Sequence, residues 1–254
     1  MNRLKLFFLF TGICFTFSQR TISQNSIKNN ASLFSLSYFK ENKNILNEEI
    51  LLKNFKSMPK TSSFGIKNGT YWFKLILHKT KATQNLIAYI PTHNIDLIDL
   101  YQLNETSLNY ISSTGNSISR NVLAIDFKFP AFKVNSNKFH DNVYFLKVNF
   151  PKEANFPLRI INEKSFLNHV LDKKAINSFY YGTIIIIILL NIFFFIKIRD
   201  RIYLYYLFLL SSLVGVFLFY DGSLIHVFRG NEFYYKLELI VHISTLIWFL
   251  LFSM

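Results

Sequence analysis

Two hydrophobic rhythms divide the chain. Between about residues 35 and 161 the apolar positions come in short runs rich in β-formers, several of them alternating with polar residues. Thr70–His78 (TYWFKLILH) follows the turn pair Asn68-Gly69, and Asn142–Phe150 places Tyr144, Leu146, Val148 and Phe150 on one face. Alternation with period two is the signature of a half-buried strand. Ser35–Phe39, Asn85–Ile90, Ile95–Leu103, Ser107–Ser113, Val122–Val134 and Pro157–Ile161 read the same way, and Pro130 inside Val122–Val134 suggests an edge or a bulge. Asn47–Asn54 reads as a short amphipathic helix or turn. Seven or eight short strands with frequent turn signals and no intervening helices of crossover length predict an all-β antiparallel sandwich.

From Phe179 the rhythm changes. FYYGTIIIIILLNIFFFIK is apolar over about 19 residues with no charge before Lys197. A helix needs about 20 such residues to cross a ~30 Å hydrocarbon layer. The pattern predicts three spans, at about 178–196, 202–220 and 237–254. Between sandwich and membrane, Phe166, Val170, Leu171 and Ala175 recur near helical spacing among charged residues. Residues 163–177 therefore read as a connecting helix continuous with the first span, able to pass a tilt or rotation inward.

The N-terminus adds a direction. Met1–Ser18 has Arg3 and Lys5, a short apolar stretch and a polar end, the form of a secretory signal peptide. Residues 19–162 are then the exported domain. Lys197, Arg199 and Arg201 cluster in the loop between spans one and two, which the positive-inside rule places in the cytoplasm. The expected home is the bacterial inner membrane, with the sandwich in the periplasm. An odd number of spans ending at Met254 suggests a truncated reading frame or a fragment.

Composition narrows the chemistry. The net charge is +13, with 21 Lys/Arg against 11 Asp/Glu in residues 20–175. Basic surfaces suit nucleic acid or anionic lipid, but the lysines are dispersed and export argues against nucleic acid. The single cysteine, Cys14, lies in the leader, so no disulfide is expected, and Ile13 argues against a lipoprotein signal. The six histidines are scattered, with no HExxH, P-loop or GxSxG pattern, so neither a metal nor a cofactor is expected. Asp96 and Asp99, three apart on a strand, face opposite ways and make a poor hydrolytic pair.

Trp72 and Tyr101 suit stacking on a sugar ring, or the packing role that a run such as TYWFKLILH equally explains. Arg120, after the Gly115-Asn116 turn, suits an anionic or hydroxyl-rich ligand, or is a solvated loop residue. Asn191 within the first span needs an amide partner, expected on another helix, and Gly182 and Gly215 suit close helix approach. Asp221 at the outer end of span two is expected to be hydrated or to cap a helix.

The order of Tyr71-Trp72-Phe73, Asp96-Leu97-Ile98-Asp99-Leu100-Tyr101, Gly115 with Arg120, Phe127-Lys128-Phe129-Pro130 and Phe156-Pro157-Leu158 resembles the second type of extracellular domain of bacterial seven-transmembrane receptors with diverse intracellular signalling modules. Tyr181-Gly182, Asn191, Arg199-Asp200-Arg201, Tyr203-Leu204-Tyr205-Tyr206 and Asp221-Gly222 resemble the first spans of that family. The resemblance implies a jelly-roll-like sandwich that binds carbohydrate or another small ligand. It also implies a relay through the bilayer to a signalling output module that is not among these residues, reached by association with a signalling protein or by self-association. No enzyme activity is then expected of this chain. The alternative is a membrane-anchored binding or adaptor subunit of an envelope complex, without signalling of its own.

Overall fold

The computed structural model describes residues 33–41, 47–59, 62–65, 68–80, 84–92, 95–151, 153–228 and 233–254. The expected signal segment at residues 1–18, Cys14 included, lies outside the described residues.

Among the described residues, nine strands form two antiparallel sheets. The larger has the order β2-β1-β3-β8-β5-β6 and the smaller β7-β4-β9. The strands are β1 (Phe34–Lys40), β2 (Lys56–Ser57), β3 (Gly69–Leu77), β4 (Gln84–Tyr89), β5 (Leu97–Asn104), β6 (Ser107–Thr114), β7 (Ala131–Ser136), β8 (Asn142–Phe150) and β9 (Arg159–Asn162). Asn47–Leu52 is a 3-10 turn. The sandwich interior is filled from both sheets by Tyr71, Phe73, Leu75 and Leu77 of β3, Tyr144, Leu146, Val148 and Phe150 of β8, and Leu86, Ala88, Phe132, Val134 and Ile160 of the smaller sheet. Phe73 and Phe156 stack at 3.9 Å between ring centroids. The alternation read from the sequence in β3 and β8 is the alternation of this inner face. Gly115 (φ +135°) ends β6 against the Asp96 carbonyl; a Cβ there would lie 2.3 Å from that oxygen, so only glycine fits.

Both sheets also bury part of their outer faces. On the larger sheet, Trp72, Tyr101 and Phe145 pack beneath Ile50 of the 3-10 turn. On the smaller, Ile87, Tyr89 and Ala131 pack against Phe127 and Phe166. Phe166 belongs to α1 (Glu163–Ile198), one uninterrupted 36-residue helix. The last residue of β9, Asn162, is itself the N-cap of α1, its side chain accepting from the Ser165 N–H at 2.7 Å. No linker separates strand from helix.

One expected strand is corrected. Val122–Val134 is not a continuous strand: Arg120–Val122 is a 3-10 turn, residues 123–130 are irregular, and pairing begins at Ala131. Pro130 has no N–H for a ladder, and Phe127 and Phe129, which alternate as strand residues would, instead pack with α1 and with each other.

α2 (Arg201–Tyr220), the short α3 (Ser223–Val227) and α4 (Phe233–Ser253) complete the described chain. Among the described residues, three helices are long and apolar enough to span a bilayer, and their apolar windows bury only 6%, 11% and 0% of residues within the protein. Faces so apolar and so uncovered suit lipid as solvent. Polar side chains within the spans fold back on their own helices: Thr183 to Phe179, Ser212 to Leu209, and Thr245 to Val241 carbonyls. Arg199 ends α1 in the left-handed conformation (φ 58°), and the Asp200 side chain accepts from the Ile202 N–H to start α2. Two residues therefore close the hairpin.

Candidate functional site: a ligand face and a membrane junction

The outer face of the larger sheet carries a polar row beside its aromatic cluster. Lys147 on β8 lies opposite Trp72 on β3 and Asp99 on β5, and Asp99 lies opposite Ser113 on β6. Ser113 Oγ donates to Asp99 Oδ1 at 2.5 Å, and the Tyr110 hydroxyl is 2.7 Å from Ser113 Oγ. Strict alternation would put Tyr110 and Ser113 on opposite faces. A register shift between Leu100 and Tyr101 leaves Ile111 as the extra residue, so Tyr110 pairs with Tyr101 while Ser113 pairs with Asp99. A bulge of this kind re-aims side chains; here it gathers a carboxylate, two hydroxyls and the 58%-exposed Tyr110 ring on one surface.

The three ligand residues expected from the sequence separate into two places. Trp72 and Tyr101 come together, with ring centroids 5.7 Å apart. Trp72 is fully buried, its Nε1 donating to Glu41 and the Lys147 ammonium 5.3 Å from its ring. Its indole is packing, not an open platform. Arg120 is not part of this cluster: it makes a two-point ion pair with Asp126, at 2.9 and 2.6 Å, which raises its pKa by hydrogen bonding first and charge second.

The second constellation links sandwich and membrane. The segment 123–130 lies over the smaller sheet. Phe127 sits edge-on to Phe166 of α1 at 4.9 Å, and Tyr89 of β4 to Phe166 at 5.6 Å. Next to Phe127, the Lys128 ammonium reaches Asp221 at the outer end of α2, 2.5 Å away. The two side chains are only 16% and 26% exposed. Asp221 Oδ2 also accepts from Ser223 Oγ at 2.5 Å. Lys173 on α1 shares this environment. Burial lowers its pKa first, then repulsion from Lys128, with Asp221 opposing and Arg159 adding to the depression. The His169 pKa is likewise lowered by burial, then by Lys173 and Arg159, against Asp172. Asp221 is therefore neither merely hydrated nor a simple cap; it ties a sandwich loop to a span.

Within the membrane helices, expectation and structure part in two places. Asn191 donates to the Ile187 carbonyl of its own helix at 2.8 Å, rather than to another helix. A Cβ on Gly182 would meet nothing within 4 Å, whereas one on Gly215 would lie 2.9 Å from Val241 of α4. Close approach is thus the role of Gly215, and α2 and α4 are further locked by the Phe208–Trp248 stack at 4.5 Å. His242 hydrogen-bonds the Glu238 carbonyl of its own helix and lies 6.0 Å from the Tyr220 ring. Among the described residues no group of three or more His, Cys, Asp or Glu is placed to hold a metal ion.

A two-sheet β-domain joined without a linker to a helix that continues into a membrane bundle defines the class: a multi-pass membrane protein with an exported N-terminal domain. The family described as 7TMR-DISM extracellular 2 matches residues 34–162, and that described as 7TM diverse intracellular signalling matches residues 173–254. The chain belongs to the 7TMR-DISM family of membrane signalling receptors, with its extracellular domain followed by membrane helices. The matched regions are an extracellular and a membrane domain, with no catalytic domain among them. No curated protein sequence matches. Among solved structures, epithelial adhesin 9 A domain from Candida glabrata, in complex with Galb1-3GlcNAc, aligns with a TM-score of 0.28 and 10% identity, covering 52% of this chain and 82% of that one. A likeness so distant carries no argument about the ligand.

Proposed function

We propose that this receptor binds a small extracytoplasmic ligand on the outer face of the larger sheet and passes the event inward along α1 and α2. Carbohydrate is the ligand class that the face suits best. Asp99, Ser113 and Tyr110 offer the acceptors and donors that sugar hydroxyls need, and the exposed Tyr110 ring offers an apolar surface for a pyranose. The basic loop of Lys197, Arg199 and Arg201 lies on the cytoplasmic side, facing a signalling partner of the bacterial inner membrane.

The observation that carries the reading is the double attachment of the sandwich to the bundle. β9 runs into α1 with no linker, and Lys128 holds Asp221 at the head of α2. A ligand can bias a two-state bundle only through its different affinity for the two states. Two rigid attachments give it two helices to move against each other, where a flexible tether would give none.

The test is a thermal-shift screen of the full chain in nanodiscs against a panel of soluble glycans. A binder raises the melting temperature by mass action, and Asp99→Asn reduces that rise. If no glycan shifts the transition, the carbohydrate class is wrong; if one does and Asp99→Asn leaves its effect intact, the site is elsewhere.

A further inference from the structure

One face of α1 stays open among the described residues, and it runs without a break from water into lipid. α1 turns Phe166 and Val170 to the smaller sheet and buries Ile184 further along. On another side Asn168, Leu171, Ala175, Ser178 and Gly182 follow one another at alternating spacings of three and four. The first four are exposed, Leu171 at 62%. A Cβ on Gly182 would meet nothing within 4 Å, so this glycine loosens the helix without a close contact inside its own copy. The same spacing continues through Ile185, Leu189, Ile192 and Ile196, all exposed.

Within the apolar run every spacing looks apolar, so the informative residues are those above it. Leu171 is followed directly by Asp172, Lys173 and Lys174, which hold this turn of the helix outside the hydrocarbon. Lipid therefore covers the lower part of the face and leaves Leu171 and Ala175 to water or to protein. Alternating steps of three and four are those of a helix pair whose a and d side chains enter gaps in the facing helix. From Asn168 to Gly182 a straight helix drifts only ~40° from that repeat, so the five positions share one face. Ala175, Ser178 and Gly182 let two backbones approach where the helix enters the membrane. A single Asn at an a position, here Asn168, fixes the register of two parallel helices.

The charges beside the seam select its occupant. Asp172 and Lys174 lie on opposite flanks of it. A second copy in the same membrane runs parallel, and a two-fold axis along the normal sets the Asp172 flank of each helix against the Lys174 flank of the other. The same axis sets Asn168 opposite its own counterpart and small residues opposite small ones. Leu171, Ile185, Leu189 and Ile196 are each more than half exposed. Side chains of this size offer on the order of 100 Å² each, and with the smaller seam residues they approach the ~600 Å² per partner of a stable interface. We propose that two copies of this receptor pair in parallel along this face of α1, from Asn168 to Ile196. The pairing joins two sandwiches and two bundles at one helix seam and needs no ligand. Nanodiscs loaded with a single copy exclude it, and there the ligand reading is tested by itself, so failure of either leaves the other standing.

The test is oxidative cross-linking of the full chain, with Cys14 replaced and one cysteine introduced at a time, in liposomes that hold several copies each. A disulfide needs Cα atoms about 4.4–6.8 Å apart, so it reads which face of α1 meets its counterpart. Leu171→Cys, Ala175→Cys and Ser178→Cys are expected to form dimers about tenfold faster, or more, than Ile176→Cys and Phe179→Cys. The last two positions are 55% and 80% exposed but lie off the seam. Gly182→Leu added to Leu171→Cys is expected to slow the cross-link about tenfold, because the added side chain overfills the seam. Its melting temperature in single-copy nanodiscs is expected not to fall, since a Cβ at 182 meets nothing in its own copy. Equal rates at the five cysteine positions, faster linking at 176 or 179, or a Gly182→Leu protein that links as fast as its parent overturns the proposal.

Discussion

Breaking the Lys128–Asp221 pair should loosen the junction by an amount the structure bounds. Exposed ion pairs contribute about 0–1 kcal/mol, and breaking a fully buried pair costs about 3–5 kcal/mol because one charge is stranded. At 16% and 26% side-chain exposure this pair falls between them, and ~1–3 kcal/mol is the expected loss, or about 5- to 150-fold in the docked-to-undocked ratio. The two single variants are not equivalent. Lys128→Met strands one carboxylate that Ser223 still donates to and that Lys173 still attracts. Asp221→Asn leaves Lys128 and Lys173 facing each other with their shared carboxylate gone, so it is the worse of the two. The double variant Lys128→Met/Asp221→Leu strands no carboxylate and removes one of the cations, so it should recover most of the loss. Hydrogen exchange of the full chain in nanodiscs reads the effect at residues 123–130, where the Phe127 and Leu123 amides are engaged locally. Protection there should fall in the order wild type, double variant, Lys128→Met, Asp221→Asn. Additive losses in the double variant, or singles indistinguishable from wild type, would refute the reasoning.

Two further predictions concern the helices. The folded-state pKa of His169 is lowered, chiefly by burial, so below the ordinary imidazole value of ~6.5 the unfolded chain takes the proton first and stability falls with falling pH. Lys173, Arg159 and Asp172 are the charged groups acting on it, with the Tyr89 ring 6.4 Å away. Melting temperatures should therefore decline from neutral pH towards acid, and His169→Gln should flatten that decline; parallel curves for the two proteins would exclude the histidine. The two membrane glycines should also diverge. Gly215→Leu drives side-chain atoms into Val241 and should cost about 1–3 kcal/mol, partly recovered by Val241→Ala, whereas Gly182→Ala meets nothing and should gain up to about 1 kcal/mol of helix propensity. Thermal stability in nanodiscs checks both, and equal effects at the two positions would contradict the packing described.

The parts of this fold that a sequence reveals are those with one buried face. β3 and β8 alternate cleanly because their inner residues fill the sandwich, and the long apolar run of α1 announces itself by length. Trp72 is ambiguous in the sequence for a physical reason: the larger sheet is apolar on both faces, and its outer cluster is covered by residues such as Ile50 of the 3-10 turn. The segment 123–130 imitated a strand because Phe127 and Phe129 alternate, although what they meet is a helix. Tyr110 and Ser113 reach one face through a bulge that no local motif marks. Lys128 and Asp221 are 93 residues apart. Each looks like an ordinary surface charge until the fold brings them together, and Arg120, the more conspicuous cation, proves to be occupied by Asp126.

The claim on which the account rests is that sandwich and bundle are docked through this junction rather than tethered. A spin-label pair at Lys133, exposed on β7, and Tyr220, exposed at the end of α2, in the full chain with Cys14 replaced, measures it in nanodiscs. The account predicts one narrow distance distribution in the otherwise unaltered protein, broadened by Asp221→Asn. A broad distribution that Asp221→Asn leaves unchanged would contradict it.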